Sequence, residues 1–172
     1  VNDLGWSSSF LLGFWQGDGW RNGTSGEGVT YAFSVGYTPR GGNHEFNVSV
    51  IGAGQWHHQA YYGSQLQDYL DYGPKQGDDF RKFNQVYGTY NGEEFSVLRN
   101  YYHKPLATFN WDWEISDNVT LATSLYASAG RGGGTGLRGR GSYGVTSYRE
   151  SFAEYMEDHS EWRNPDTTIN WN

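Results

Sequence analysis

The segment YYHKPLATFNWDWEI (residues 101–115) is followed by the short turn SDN (116–118) and by VTLATSLYASAG (119–130). Apolar and polar side chains alternate along both arms, which is the period of a β-strand with two unlike faces. The apolar face is the odd-numbered one and includes Phe109, Trp111, Trp113, Leu121 and Leu125. Such a pattern is typical of a water-soluble sheet with one buried face. It is equally typical of a membrane barrel that is apolar outside and polar inside.

The same alternation predicts five strands in the whole chain. They are Leu4–Trp15, Val29–Thr38, Glu45–Trp56, Tyr101–Ile115 and Val119–Gly130. The connections run long, short, long, short, long: Gln16–Gly28, Pro39–His44, His57–Asn100, Ser116–Asn118, and Arg131 to the end. Outer-membrane barrels likewise have short periplasmic turns on one side and long extracellular loops on the other. Each strand also reaches the ~9–11 residues that a tilted strand needs to cross the hydrocarbon.

We therefore expect an all-β chain, an antiparallel up-and-down transmembrane β-barrel segment with long extracellular loops. Five strands are an odd number and cannot close a bacterial barrel, and open edges are not tolerated in lipid. We thus expect residues 1–172 to form an internal part of a larger barrel. A soluble, aromatic-rich β-sandwich that binds glycans is the alternative, because it also explains the alternation.

Composition narrows the classes of partner. The chain has 172 residues, a formal net charge of −7 and no cysteine. The acidic balance argues against nucleic acid, because phosphate contacts require clustered Lys and Arg. Without cysteine there is no disulfide and no thiolate metal site. No apolar run approaches the ~18 residues of a transmembrane helix, although barrel strands never show such runs.

The sequence offers no catalytic motif. The glycine run at 130–136 lacks the Gly-Lys-Ser/Thr ending of a phosphate-binding loop. Asp112 and Glu114 share one strand face, but neighbouring carboxylates of this kind are common and predict no hydrolase by themselves. We expect no enzyme.

No cofactor is expected either. His57 and His58 are adjacent, so in a strand they point to opposite sides, and no third metal ligand is evident. The long loop holds an acidic cluster whose spacing does not fit an EF-hand, which leaves a loop-bound Ca²⁺ as the open alternative. The cluster is Asp68, Asp71, Asp78 and Asp79.

Aromatic residues in the loops are the candidates for ligand contact, because exposed aromatics stack on sugar rings and anchor interfaces. The alternative is that they pack the long loops themselves. The loop aromatics are Trp20, Trp56, Tyr61, Tyr62, Tyr69, Tyr72, Tyr87, Tyr90, Trp162 and Trp171. We take Trp56, His57, Tyr61 and Tyr62 as the predicted ligand-binding residues. One segment is not β: Ser147–Ser160 has an apolar face at helical spacing and a capping box, which predicts a short loop helix.

Four segments resemble TonB-dependent receptors of the SusC-like type from Bacteroidota. They are VIGAGQWHHQ at 50–59, NYYHKP at 100–105, ASAGRGGGTG at 127–136, and the GDGW…GT loop at 17–24. Their order and separations agree with those receptors, and the similarity covers roughly residues 4–140. The Trp-His-x-Gln and Tyr-Tyr-His-Lys-Pro pieces are its most specific parts.

This resemblance implies a 22-stranded outer-membrane barrel with an N-terminal plug, of which residues 1–172 would form part of the barrel domain. The plug, the N-terminal domain and the remaining strands would lie outside this sequence. Such receptors import nutrients with energy from TonB–ExbB–ExbD, often beneath a SusD-like surface lipoprotein. The resemblance implies that the chain lies in the cell outer membrane, where it contacts lipid, the rest of the receptor barrel and the plug.

Overall fold

The computed structural model describes residues 2–60, 64–136 and 160–172. The chain divides into two compact units. The first unit comprises Val1–Trp15, Gly28–Gln55 and Tyr102–Gly132. The second unit comprises Gln16–Glu27, Trp56–Tyr101 and Gly133–Asn172.

The described residues form ten strands and one α-helix. The strands are β1 (Trp6–Gly17), β2 (Gly26–Tyr37), β3 (His44–His58), β4 (Tyr87–Tyr90), β5 (Glu93–Ser96), β6 (Arg99–His103), β7 (Leu106–Ser116), β8 (Val119–Ser128), β9 (Arg131–Gly134) and β10 (Ile169–Asn170). The helix is α1 (Leu66–Gln76), and short 3₁₀ turns cover Phe80–Lys82 and Ser160–Trp162. One sheet runs β1–β2–β3–β6–β9, with β7 paired to β3 and β8, while β10–β4–β5 form a smaller sheet. This confirms the expected all-β class.

The expected number of strands was wrong, since ten are present rather than five. The predicted strand Tyr101–Ile115 is divided into β6 and β7 at Lys104 and Pro105. Proline has no backbone N–H and so cannot donate to the ladder at this point. The hydroxyl of Ser128 donates to the Pro105 carbonyl at 2.8 Å, where the neighbouring strand β8 also ends. The other additional strands are short pieces inside the long connections.

Strand register confirms the predicted apolar face. β3 pairs antiparallel with β7, and β7 with β8, so directly opposite residues lie on the same face. The opposite pairs on the apolar face include Phe46–Trp111, Val48–Phe109, Phe109–Leu125 and Trp113–Leu121. The remaining turn between β7 and β8 is only Asp117-Asn118.

The described hydrophobic core lies in the second unit. Phe83, Val86 and Ile169 are buried there, and partly buried apolar residues pack around them: Tyr69, Tyr72, Leu98 and Trp171. In the described residues of the first unit, no large apolar side chain is buried. Phe10, Leu12 and Leu125 are 85%, 76% and 60% exposed. The sheet of the first unit therefore leaves its apolar face uncovered by the described chain.

The predicted long loop His57–Asn100 contains regular structure. Helix α1 begins after Gln65, whose backbone N–H donates to the Asp68 carboxylate at 2.7 Å, and it ends before Gly77. Predicted helix Ser147–Ser160 lies outside the described residues, apart from Ser160 at the start of a 3₁₀ turn. Across the described ranges, no helix combines the length and hydropathy that crossing a bilayer requires.

Candidate functional site

An aromatic group lies on the apolar face near the end of β7. The rings of Trp111 and Trp113 are stacked with centroids 6.1 Å apart and planes 7° apart, and Phe46 stacks on Trp111 at 6.3 Å. The indole N–H of Trp111 donates to His44 Nδ1 at 3.2 Å, so His44 presents this nitrogen as an acceptor. These large amphipathic rings are suited to a boundary between apolar and polar surroundings.

The opposite face of the same strands carries hydrogen-bonded polar side chains. The amide of Asn47 on β3 donates to Ser34 Oγ on β2 at 3.0 Å, and Ser124 Oγ on β8 donates to Asn110 Oδ1 on β7 at 2.8 Å. The hydroxyls of Ser49 and Thr108 are also hydrogen-bonded to each other. The polar face is thus tied across strands by side chains.

The side chain of Tyr31, on β2, extends over Gly52 of β3 and reaches His103 on β6. Its hydroxyl is 2.9 Å from His103 Nε2 on β6, and its ring lies over Gly52 on the intervening strand β3. A Cβ on Gly52 would overlap the Tyr31 hydroxyl. Glycine is therefore required at position 52 for Tyr31 to bridge the strands.

Trp56, a predicted ligand residue, is engaged on one face and at its edge. The Arg99 guanidinium lies over the ring, with Cζ 3.9 Å from the centroid, and the indole N–H donates to Glu27 Oε1 at 2.7 Å. His57 is half-buried. A Cβ placed on Gly26 would overlap the Cβ of His57, so the two residues are in close contact. The structure therefore gives Trp56 well-defined packing partners, whereas predicted residues Tyr61 and Tyr62 lie outside the described residues.

His58 is the buried neighbour of this pair, at 9% exposure. Its ring packs edge-on against Trp56 at 5.3 Å and Phe95 at 6.3 Å, and its Nδ1 makes no hydrogen bond to any described residue. Burial lowers the pKa of His58, Arg99 lowers it further, and only Glu94 opposes the shift. The folded chain therefore favours neutral His58.

Three of the four aspartates in the acidic cluster of the long loop make local hydrogen bonds. Asp68 caps helix α1, Asp71 accepts from Gln67 at 2.8 Å, and Asp79 pairs with Arg81, whose hydrogen bond lowers the pKa of Asp79. Among the described residues, no group of three or more metal-ligating side chains gathers. Bound Ca²⁺ stays a prediction without an assembled site in this part of the chain.

The second unit holds a polar pocket of about 240 Å³. Its lining comes from separate segments: Asp18, Gly19, Trp20, Arg21, Asn22, Gly23, Gln76, Lys82, Tyr87 and Glu94. Sequence reasoning identified Trp20 and Tyr87 only as loop aromatics. It missed the pocket because no short motif contains these residues, and only folding brings them together.

Amides hold the wall of this pocket. The backbone N–H of Asn22 donates to the Lys82 carbonyl at 3.0 Å, and the Asn84 side chain donates to the Asn22 carbonyl at 2.8 Å. The Gln76 side chain pairs with the backbone of Asn84 through both its oxygen and its nitrogen, each at 3.1 Å. Gly23, at φ +65°, fits directly against the Tyr87 ring, where a Cβ would overlap. The wall is therefore fixed by several independent bonds.

Both signs of charge meet in this pocket. Burial raises the pKa of Tyr87 most strongly, and the nearby carboxylates of Glu94, Asp166 and Asp18 raise it further. Lys82 and Arg21 both bring positive charge to the lining, and the Arg21 guanidinium also lies over the Tyr69 ring, with Cζ 5.5 Å from its centroid. Within the part of the chain that the structure describes, neither the Asp18 carboxylate nor the Lys82 ammonium has a hydrogen bond or ion pair.

Comparison with known proteins assigns no family. No protein-family model, no curated protein and no solved structure matches this chain. Functional inference therefore rests on the two faces of the first unit's sheet and on the pocket of the second unit.

Proposed function

We propose that this chain is part of an outer-membrane, TonB-dependent nutrient-import receptor of the SusC-like type. The first unit contributes strands to the barrel wall, with its apolar face in contact with lipid. The predicted long connections form extracellular loops that contact ligand or a lid lipoprotein. The observation that carries this proposal is the apolar sheet face that no described residue of the first unit covers.

The energetic argument starts from that face. Phe10, Leu12 and Leu125 keep most of their surface exposed. Burying an apolar side chain of this size stabilises a protein by about 1.5–3 kcal/mol relative to leaving it in water. A row of such residues across several strands therefore needs an apolar cover, and lipid hydrocarbon supplies one over the full length of the strands.

The opposite face supports an aqueous barrel interior. The side-chain bonds Asn47–Ser34 and Ser124–Asn110 lie on polar surfaces that tolerate water and would be costly in hydrocarbon. Strands β3, β7 and β8 have 15, 11 and 10 residues. These lengths meet the ~9–11 residues required for a tilted crossing.

The aromatic group His44, Phe46, Trp111 and Trp113 fits the same arrangement. It lies near the end of β7 that leads into the two-residue turn at Asp117-Asn118. Membrane barrels place rings of this kind in girdles at the boundary between hydrocarbon and water. The short turn is accordingly assigned to the periplasmic side, and the predicted long connections, among them His57–Asn100, to the extracellular side.

The alternative, a soluble glycan-binding β-sandwich, requires a second sheet over the apolar face. The exposure of Phe10 and Leu125 disfavours a sandwich formed by the described residues. In the receptor proposal, the rest of the barrel and the plug complete the wall, TonB–ExbB–ExbD supplies energy, and a SusD-like lipoprotein covers the outer loops. In this role the chain catalyses no reaction and carries no cofactor.

Spin labelling in lipid vesicles tests the proposal. The chain has no cysteine, so a single introduced cysteine is a unique labelling site. Labels at Leu121, Thr123 and Leu125 on the apolar face are compared with labels at Ala122 and Ser124 on the polar face. Oxygen, which concentrates in lipid, should relax the first set more strongly, and a water-soluble nickel chelate should relax the second set.

The expected result is an alternation with period two along β8. Equal accessibility to the nickel chelate on both faces would refute lipid contact. A monodisperse chain that folds cooperatively without detergent or lipid would favour the soluble sandwich instead.

A further inference from the structure

We propose that the polar pocket of the second unit binds a small zwitterion of amino-acid size, holding its ammonium group near Asp18 and its carboxylate near Lys82. Its physiological meaning rests on the proposed import role, because the ligand would then be a captured nutrient. The binding itself is independent of lipid contact and can be measured separately.

The pocket size limits the ligand. At about 240 Å³ it lies below the range of pockets that hold drug-sized molecules. The amide network of Asn22, Gln76 and Asn84 fixes the wall through side chain to backbone hydrogen bonds. Asn84 is almost completely buried, so this wall is part of the folded framework rather than a surface loop contact. The site is therefore preformed for a small molecule.

The charges select the class of ligand. Asp18 and Glu94 both act on the Tyr87 phenol, which places a negative region on this side of the pocket. Glu94 Oε1 already accepts from Ser25 at 2.7 Å, whereas the carboxylate of Asp18 has no hydrogen bond to the described residues. An ammonium group suits Asp18, because charge-assisted hydrogen bonds are the stronger kind.

Lys82 supplies the complementary charge. Its backbone carbonyl accepts from the Asn22 N–H, and Lys82 belongs to the pocket lining without an ion pair to any described residue. Asp18 and Lys82 therefore line one pocket without neutralising each other. A ligand with a positive and a negative end pairs with both charges, whereas a neutral polyhydroxylated ligand offers each of them only a hydrogen bond without an opposite charge.

Trp20 adds an apolar surface to this lining. It is 60% exposed, although exposed indoles are costly to leave in water. An apolar or aromatic side chain on the ligand can pack against Trp20 while the charged ends contact Asp18 and Lys82. The ligand class is thus an amino acid with an apolar side chain, either free or as the end of a short peptide.

Saturation-transfer NMR on the full chain in detergent tests this inference with four probes. L-Phenylalanine carries both charges, N-acetyl-phenylalanine lacks the ammonium, phenylalaninamide lacks the carboxylate, and glucose is neutral. Because the charged groups are exposed, weak binding near ~1 mM is expected for phenylalanine. Each blocked derivative should bind about fivefold or more weakly, and glucose should not compete.

Two variants assign the charges. Asp18→Asn should weaken phenylalanine and phenylalaninamide about fivefold and leave N-acetyl-phenylalanine unchanged. Lys82→Met should do the reverse, weakening phenylalanine and N-acetyl-phenylalanine only. The matched controls Asp117→Asn and Lys104→Met remove the same charges from the first unit and should change nothing.

Tighter binding of glycyl-phenylalanine than of phenylalanine would support the same charges acting on peptide ends. The absence of phenylalanine binding, equal binding of glucose, or equal effects of pocket and control variants would overturn the inference. None of these results alters the accessibility pattern of β8. Loss of that pattern with retained phenylalanine binding would instead refute only the membrane role.

Discussion

Replacing Leu125 by arginine tests the assigned lipid face most directly. Leu125 is 60% exposed on the apolar face, opposite Phe109 on β7. Its neighbour Tyr126 points to the polar face, opposite Thr108, and is 80% exposed. Tyr126→Arg therefore introduces the same charge at nearly the same depth on the other side of the sheet.

The magnitude follows from position along the strand. Leu125 lies six residues beyond Val119, the first residue of β8. At ~3.3 Å per residue this is about 20 Å along the strand. A tilt of ~45° converts it to about 14 Å of depth from the turn, close to the midplane of a ~30 Å hydrocarbon layer. Arginine at this depth should reduce the free energy of unfolding by about 2–4 kcal/mol.

Leu121 provides an internal scale for depth. It lies only two residues beyond Val119, which corresponds to about 5 Å of depth by the same conversion. Leu121→Arg should therefore cost about 0–1 kcal/mol, as expected near an interface. Tyr126→Arg should cost little.

Guanidinium titration of the chain in lipid vesicles, followed by tryptophan fluorescence, measures all three variants. The expected order of destabilisation is Leu125→Arg, then Leu121→Arg, then Tyr126→Arg. Equal losses for Leu125→Arg and Tyr126→Arg would refute the assignment of the two faces. Equal losses for Leu125→Arg and Leu121→Arg would refute the depth derived from the turn.

Three further predictions concern single contacts. Gly52→Ala should destabilise the first unit by about 1–3 kcal/mol in chemical denaturation, because the new methyl group overlaps Tyr31; the cost should fall sharply in a Tyr31→Ala background. Arg99→Ala should cost about 0.5–2 kcal/mol through loss of the cation–π contact with Trp56, whereas Arg99→Lys should keep part of it. Because burial lowers the pKa of His58, the unfolded chain takes up its proton first; stability should be full above pH ~6.5 and fall as the pH drops through this value. Thermal unfolding between pH 7 and 5 should show this slope in the native chain and a smaller slope in His58→Gln.

Alternation predicted the sheet faces well because its cause is local. Successive strand residues point to opposite sides whatever the remainder of the fold does. Phe109 and Leu125 were assigned to one face from their parity alone, and they are opposite each other in the ladder. The break at Pro105 was less visible, because the apolar pattern continues through a residue that cannot complete the ladder.

Helix α1 was missed for a local reason. Gly73 and Pro74 stand inside it, and both residues disfavour a helix interior. Gly73 packs against the Phe80 backbone so closely that a Cβ would overlap, so tertiary packing explains its presence. Helix propensity therefore argued against a helix at Gly73, where packing against Phe80 determines the local structure.

The pocket could not be predicted because its lining is long-range. Asp18 and Lys82 are far apart in sequence, and the hydrogen bond from Asn22 to the Lys82 carbonyl joins their segments. Neither charged residue belongs to a motif that sequence reading recognises. A charged side chain that lacks an ion pair within the chain can be recognised only when the contacts of the folded chain are known.

The Tyr31 bridge also has a consequence for how strands find their correct partners. Tyr31 lies over a position without a side chain on β3 and reaches His103 beyond it. Sliding β3 by one residue would bring Ile51 or Ala53 to this place, and sliding it by two would bring Val50 or Gly54. Only the last of these four shifts avoids a collision between the new side chain and Tyr31. Gly52 and Tyr31 together therefore disfavour most shifted registers of β3 when the sheet assembles.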